Sequence, residues 1–170
     1  MRKLYATDGV VSLAEYVAEA DASDCYDCWL DAETQRGFNF RMTETLEEYR
    51  RSEVTSRFLA TVIRCSDGTA VGSVFLSPEG SPPDLAIMLY KPFRGRGFGT
   101  RAFALGADYC FEAFGLKQLY AGCYPHNAAS MKMLHKCGFR PHPGGNVAER
   151  HYITGEELTQ LDFVRDNPNL

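Results

Sequence analysis

Lys91-Pro92-Phe93-Arg94-Gly95-Arg96-Gly97-Phe98-Gly99-Thr100-Arg101 packs three alternating glycines and four cations into eleven residues. The apolar run Leu85–Tyr90 before it reads as a strand. After it, Phe103, Ala107, Cys110 or Phe111, and Phe114 recur at helical spacing, with Gly115 as the stop. The stretch therefore sits between a strand and the start of a helix predicted over Thr100–Phe114. A helix start exposes backbone N–H groups and the positive end of the dipole, and glycines let the backbone approach an anion closely. Arg94, Arg96 and Arg101 can add paired hydrogen bonds to phosphate oxygens. It is not a nucleotide P-loop, because Gly-Lys-Ser/Thr is missing. Nor is it a dinucleotide fingerprint, whose glycine spacing and downstream acid are absent.

Outward from this centre, Phe58–Ile63 and Ala70–Leu76 flank Ser66-Asp67-Gly68-Thr69, a strong hairpin signal. Leu119–Tyr124 reads as a further strand, Asn127 as the cap of a helix over Ala128–Lys136, and His151-Tyr152-Ile153 as a late strand. Toward the N-terminus, Leu4-Tyr5-Ala6 suggests a short strand. Thr7 and Asp8 suggest caps for a helix over Val10–Ala20, followed by helices over Ala22–Ala32 and Thr43–Arg50. This order predicts an α/β (α+β) fold with a mixed, mostly antiparallel sheet of about six to seven strands and helices on both faces. The strands flanking Thr100–Phe114 are expected to be parallel.

The 170 residues, 45% apolar and 24% charged, suit one soluble domain spanning residues 1–170. No run is long enough to span a membrane and no apolar leader opens the chain, so a cytoplasmic location is the expectation. Residues 1–53 carry 12 acids against 6 bases, whereas the remainder carries 10 against 12. No broad basic face is present, which argues against a nucleic-acid partner. Three of the six cysteines, Cys65, Cys110 and Cys123, lie in apolar segments, as in a reduced protein. Cys25-Tyr26-Asp27-Cys28, one CxxC without a second ligand pair, reads as helix packing rather than a metal site, and no metal is expected.

About 30 residues downstream of the glycine stretch comes a second motif. Arg94-x-x-Gly97-x-Gly99, then Asn127-x-x-Ser130 and Cys137-Gly138-Phe139, resemble the acetyl-CoA signature of the GNAT N-acetyltransferase superfamily. Tyr109-Cys110-Phe111-Glu112-Ala113-Phe114-Gly115-Leu116 and Trp29-Leu30-Asp31 further resemble the branch of ribosomal-protein N-terminal alanine and serine acetyltransferases. The specific match spans about residues 85–140. The resemblance implies a splay between the strands ending near Tyr90 and Tyr124. It implies acetyl-CoA bound by backbone groups of Met88, Leu89 and Tyr90, by Arg94, Gly95, Arg96, Gly97, Phe98, Gly99 and Thr100, and by Asn127, Ser130 and Lys136. The acetyl-CoA core would occupy about residues 58–140 and acceptor-side helices about 8–53. The implied reaction is direct transfer to a primary amine: a protein N-terminus, or a small amine such as a polyamine or aminoglycoside. The backbone N–H groups of Leu89 and Tyr90 would stabilise the oxyanion.

One departure affects the chemistry. Relatives often place a tyrosine seven residues after the motif asparagine as general acid, and here that residue is Leu134. Ser130 is the best substitute by position, and His135 lies one residue off. Glu79, Asp84 and Glu149 are candidate bases, with Glu149 favoured by its place after the Gly-Phe strand. Trp29, Tyr124 and His126 are candidates for acceptor contact. The missing tyrosine also admits a non-catalytic acyl-CoA-binding sensor or scaffold. A monomer or a homodimer is equally compatible with the sequence.

Overall fold

A computed structural model describes residues 1–170. The chain opens on a hairpin of β1 (Leu4–Thr7) and β2 (Val11–Glu15), then runs through three helices, α1 (Ala18–Leu30), α2 (Ala32–Phe38) and α3 (Leu46–Arg51). Strands β3 (Phe58–Arg64), β4 (Ala70–Leu76) and β5 (Leu85–Leu89) complete an antiparallel five-stranded sheet in the order β1-β2-β3-β4-β5. A short 3-10 turn (Lys91–Phe93) leads into α4 (Phe98–Phe114), β6 (Gln118–Cys123) and α5 (Ala128–Lys136). Three strands follow: β7 (Arg140–Pro141), β8 (Val147–Arg150) and the long β9 (Glu157–Asp166), which pairs antiparallel with β6, β7 and β8.

The expected helix over Val10–Ala20 is instead β2 and the first turn of α1. Asp8 does cap, but it caps a turn: its Oδ1 accepts from both Val10 N and Val11 N at 2.9 Å, and Gly9 takes φ +84°. Thr7-Asp8-Gly9 is thus a hairpin turn of the kind read correctly at Asp67-Gly68. Val11 and Leu13 then alternate into the core, both fully buried. The expected strand at His151–Ile153 is a turn, in which His151 Nδ1 accepts from Ile153 N and Thr154 N. The polar alternation Gln160, Asp162 along β9 had concealed that strand. With β2, β7, β8 and β9 added there are nine strands, more than the six or seven expected, within the expected fold class. The cap at Asn127 is as read, with its Oδ1 accepting from Ser130 N at 3.1 Å. Thr45 and Glu48 close a capping box on α3.

The first sheet has a helical layer on each side. Val11, Val62, Val74, Leu85 and the α4 residues Ala102, Phe103, Ala107 and Cys110 share one core; Cys25 and Cys28 of α1 pack with Met88 and Tyr90 on the other face. Cys25 Sγ lies 3.2 Å from Ser73 Oγ and 3.1 Å from Tyr90 Oη, and both cysteines are free thiols whose pKa burial pushes up. The CxxC is therefore a packing element. Alternation along β5 sends Leu85, Ile87 and Leu89 toward α4, and Met88 and Tyr90 toward α1.

Candidate active site

β5 and β6 are bridged at one point only, at the residue before β5. Asp84 and Tyr120 form a parallel bridge, with Tyr120 N donating to Pro83 O at 2.9 Å. Beyond it β5 stays with β4 and β6 with β9, so the two strands diverge. The free edge of β5 can be assigned from its hydrogen bonds. Ser77 N donates to Asp84 O, and Tyr90 N donates to Val71 O, both at 2.9 Å. With the regular register between them, the backbone groups of Asp84, Ala86, Met88 and Tyr90 turn toward β4. Those of Ile87 and Leu89 turn into the gap. The Leu89 carbonyl is occupied, accepting from Arg94 Nε at 3.0 Å, which leaves the Leu89 N–H and both groups of Ile87 facing open space.

At the mouth of the gap stands the glycine stretch. Gly95 and Gly97 take φ +72° and +82°, and a Cβ at either would meet no atom within 4 Å. The first intrahelical bond of α4 is Arg101 N to Gly97 O, so the N–H groups from Gly95 through Thr100 have no acceptor within the protein. Gly99 brings the helix against β5, since a Cβ there would lie 3.1 Å from Leu89 Cδ1. Six consecutive free N–H groups at a helix N-terminus form an anion cradle. The cradle and the free β5 edge open into one cleft of about 860 Å³. Thr100, Phe103, Asn127, Ser130, Met133 and Leu134 line it on the α4–α5 side, and Phe38, Phe75, Ser77, Asp84 and Gln160 on the other.

Asp84 is the ionisable group that stands out. Its half-buried carboxyl has no hydrogen-bond partner and lines the cleft. Burial, with the nearby Asp162 charge second, raises its pKa to about 7. Asp162 is itself engaged, 2.7 Å from His142 Nδ1.

The GNAT acetyltransferase domain model matches residues 4–140. The chain belongs to the GNAT acetyltransferase family. A Bacillus subtilis protein described as a probable N-acetyltransferase, YjcK, is 32% identical over 129 residues, 74% of this chain and 68% of the relative. Among solved structures, the ribosomal-protein-S5-alanine acetyltransferase of Vibrio fischeri superposes with TM-score 0.76 at 16% identity, covering 98% of both chains. The spermidine N-acetyltransferase of Vibrio cholerae, solved with CoA and spermine, superposes with TM-score 0.80 at 15% identity, covering 94% of this chain and 96% of that one. These last two likenesses are likenesses of fold. This GNAT chain is accordingly an acyltransferase of the family whose donor is acetyl-CoA, and no helix in it is long and apolar enough to cross a membrane.

The GNAT cleft gathers Leu89, Gly95, Gly97, Gly99, Thr100, Asn127, Ser130 and His126, all expected from sequence. Several other expectations need correction. The Tyr90 N–H is donated to Val71 O and is not an oxyanion donor, and the Met88 backbone faces β4. Ile87, absent from the sequence reading, takes their place because strand alternation, not proximity in sequence, decides which groups face the gap. The Arg94 guanidinium points away from the cradle: it donates to Asp31 Oδ2 (2.9 Å), Glu33 Oε2 (3.0 Å) and Thr34 Oγ1 (2.9 Å). Burial works against the Asp31 charge, but Arg94 and the Thr34 N–H hold that carboxyl below its usual range. Arg94 thus clamps the end of β5 to α2. Arg101 is paired with Asp8 at 2.8 Å, which leaves Arg96 exposed and free at the cradle. Lys136 and Phe98 lie outside the cleft lining.

Glu149 is not a free base either. It accepts from Tyr124 Oη at 2.6 Å and Asn39 Nδ2 at 3.1 Å, a tie between β8 and the residues just past β6 and α2, outside the cleft lining. Tyr124 is buried in that tie, its hydroxyl pKa raised first by burial and then by Glu149. Trp29 stands one layer behind the cleft, 4.9 Å from the ring of Phe38, which lines it. Leu134 is buried and Ser130 lines the cleft. Glu79 is exposed on the loop before β5, outside the lining.

Proposed function

We propose that this protein transfers the acetyl group of acetyl-CoA directly to a primary amine, with Asp84 as the proton acceptor. The observation that carries the reading is the continuity of the cleft. It runs from six unsatisfied N–H groups at the start of α4, along the free edge of β5, to an unpartnered carboxyl with a pKa of about 7. The N–H groups of Gly95 to Thr100 match a diphosphate, with Arg96 adding charge. The β5 edge at Ile87 and Leu89 matches the amides of an extended pantetheine arm, as an added strand would.

Acetyl-CoA supplies the thioester carbonyl. The Leu89 N–H, beside the cradle, pairs with the pantetheine arm, and the Ile87 N–H further along β5 donates to the carbonyl oxygen as it gains negative charge; holding two substrates in one cleft supplies further acceleration. Asp84 receives the proton from the amine nitrogen. It lies about 10 Å along the strand from Ile87 at roughly 3.3 Å per residue, so the transfer passes through water in the cleft. The N–C bond forms as the C–S bond breaks, and Ser130, facing the cleft from the first turn of α5, donates toward the departing thiolate. The test is a steady-state assay of free thiol with acetyl-CoA and a panel of primary amines. Amine-dependent thiol release supports the reading. Tight acetyl-CoA binding with no release on any amine would instead establish a non-catalytic acyl-CoA-binding module.

A further inference from the structure

Five acidic or basic side chains line the cleft: Glu33, Arg36, Asp84, Arg94 and His126. Arg94 binds both Glu33, at 3.0 Å, and Asp31, at 2.9 Å, and Lys91 stands 3.9 Å from Asp31. The acid-rich first third of the chain therefore presents no carboxylate without a cationic partner here. What remains is one unpartnered carboxyl, Asp84, and one unpartnered guanidinium, Arg36, beside the imidazole of His126.

Arg36 occupies the last turn of α2, where the helix dipole favours a cation, and by itself that position would say nothing about a ligand. Its setting does. The side chain is exposed and makes no ion pair, yet it lines the cleft. Asn39, just past α2, holds the helix end in place: its Nδ2 donates to Arg150 O and its Oδ1 accepts from Tyr152 N, both at 2.9 Å. The adjacent Gly37 approaches the cap of α5, where a Cβ would stand 3.6 Å from Asn127 Nδ2. The guanidinium is thus mounted on a braced element beside His126, which stacks on Tyr124 with ring centroids 5.8 Å apart. Burial and then the Arg36 charge lower the His126 pKa, against an opposing contribution from the Arg36 backbone, in keeping with that proximity.

We infer that the acceptor carries a carboxylate as well as its reactive amine, with Arg36 and His126 receiving the carboxylate at the rim while the amine is directed inward. The inference deepens the acetyltransferase reading and rests on it. A planar guanidinium suits a carboxylate in paired hydrogen bonds. The same charge repels a second ammonium, so polyamines are poor acceptors. Free amino acids and the acidic N-terminal segments of peptides share this chemistry.

The test compares thiol release on acceptors of matched chain length: n-alkylamines, α,ω-diamines and ω-amino carboxylates. Dipeptides whose second residue is Asp or Lys form a fourth set, which separates a free amino acid from a peptide source. At least one carboxylate-bearing acceptor should exceed its matched monoamine about tenfold in kcat/KM, with the diamine slowest. Arg36→Glu should reverse the order of diamine and amino carboxylate, Arg36→Lys should keep the original order, and KM for acetyl-CoA should stay within about twofold in both. A wild-type preference for diamines, equal rates across the series, or an Arg36→Glu loss shared by all acceptors would overturn the inference while leaving the transferase intact. No thiol release on any acceptor would overturn both.

Discussion

Replacing Asp84 by Asn should stop catalysis and stabilise the fold. The carboxyl has a pKa of about 7 in the folded protein against an ordinary 3.8. For an acid with a raised folded pKa, folding is unhindered below the unfolded value. The penalty grows as pH climbs from about 4 and is complete above about 7. Three pKa units correspond to about 4 kcal/mol as an upper bound at pH 8, and partial access to water lowers this to about 2 kcal/mol. In a chain of this size each kcal/mol shifts Tm by about 2–4 °C, so Asp84→Asn should melt about 4–8 °C higher at pH 8 and nearly unchanged at pH 4. Activity moves the other way. The ionised fraction of Asp84 rises about tenfold between pH 6 and pH 8, and wild-type kcat should rise with it. The variant should lose about 100-fold or more in kcat and lose that inflection. Scanning calorimetry at the two pH values and kcat–pH profiles of both proteins measure these effects. A variant that melts lower at pH 8, or keeps the wild-type profile, refutes the assignment of Asp84 as a desolvated base.

Other perturbations separate catalysis from architecture. Ser130→Ala should lower kcat by about tenfold while KM for acetyl-CoA barely moves, and an unaltered rate removes Ser130 from the chemistry. Glu149→Gln should leave turnover within about threefold, because that carboxylate is tied to Tyr124 and Asn39; a loss of 100-fold would restore it as the base. Arg2→Ala should cost about 3–5 kcal/mol in urea unfolding. Asp21 is 1% exposed and bound by Arg2 through two contacts of 2.6 and 2.8 Å, so the variant leaves a buried charge with only the neutral donors Thr61 Oγ1 and Val17 N. A change below about 1 kcal/mol would contradict that view of the N-terminus.

The core of this fold was legible because its signals are local. The glycine stretch, the Asp67-Gly68 turn, the Asn127 cap and the helical spacing of α4 each follow from a few adjacent residues, and together they locate the cleft. The errors arose where partners distant in sequence decide. Asp8 resembles a helix cap until Gly9 turns the chain and β3 takes up β2. β9 carries Gln160 and Asp162 on one face and is recognisable as a strand only beside β6. Arg94 was expected at the phosphates because of its motif position, but Asp31, Glu33 and Thr34, about 60 residues upstream, claim it. The choice between Glu149 and Asp84 depended on which acid had found a partner. The registers of β5 and β8 decide that, and a single sequence does not display them. Ile87 follows for the same reason, since the hydrogen bonds from Ser77 N to Asp84 O and from Tyr90 N to Val71 O reveal which residues of β5 face the gap.

The central claim is that the cradle at Gly95–Thr100 and the cleft behind it hold acetyl-CoA. Gly97 has φ +82° and open space where a side chain would project. Gly97→Trp would therefore fill the cradle, at a local strain of about 1–2 kcal/mol that leaves the fold standing. Titration calorimetry of acetyl-CoA into the wild type and this variant, with circular dichroism to check folding, is the direct measurement. Saturable 1:1 binding to the wild type and none to a folded variant is the predicted result. Absence of binding to the wild type, or equal affinity in both proteins, would contradict the account.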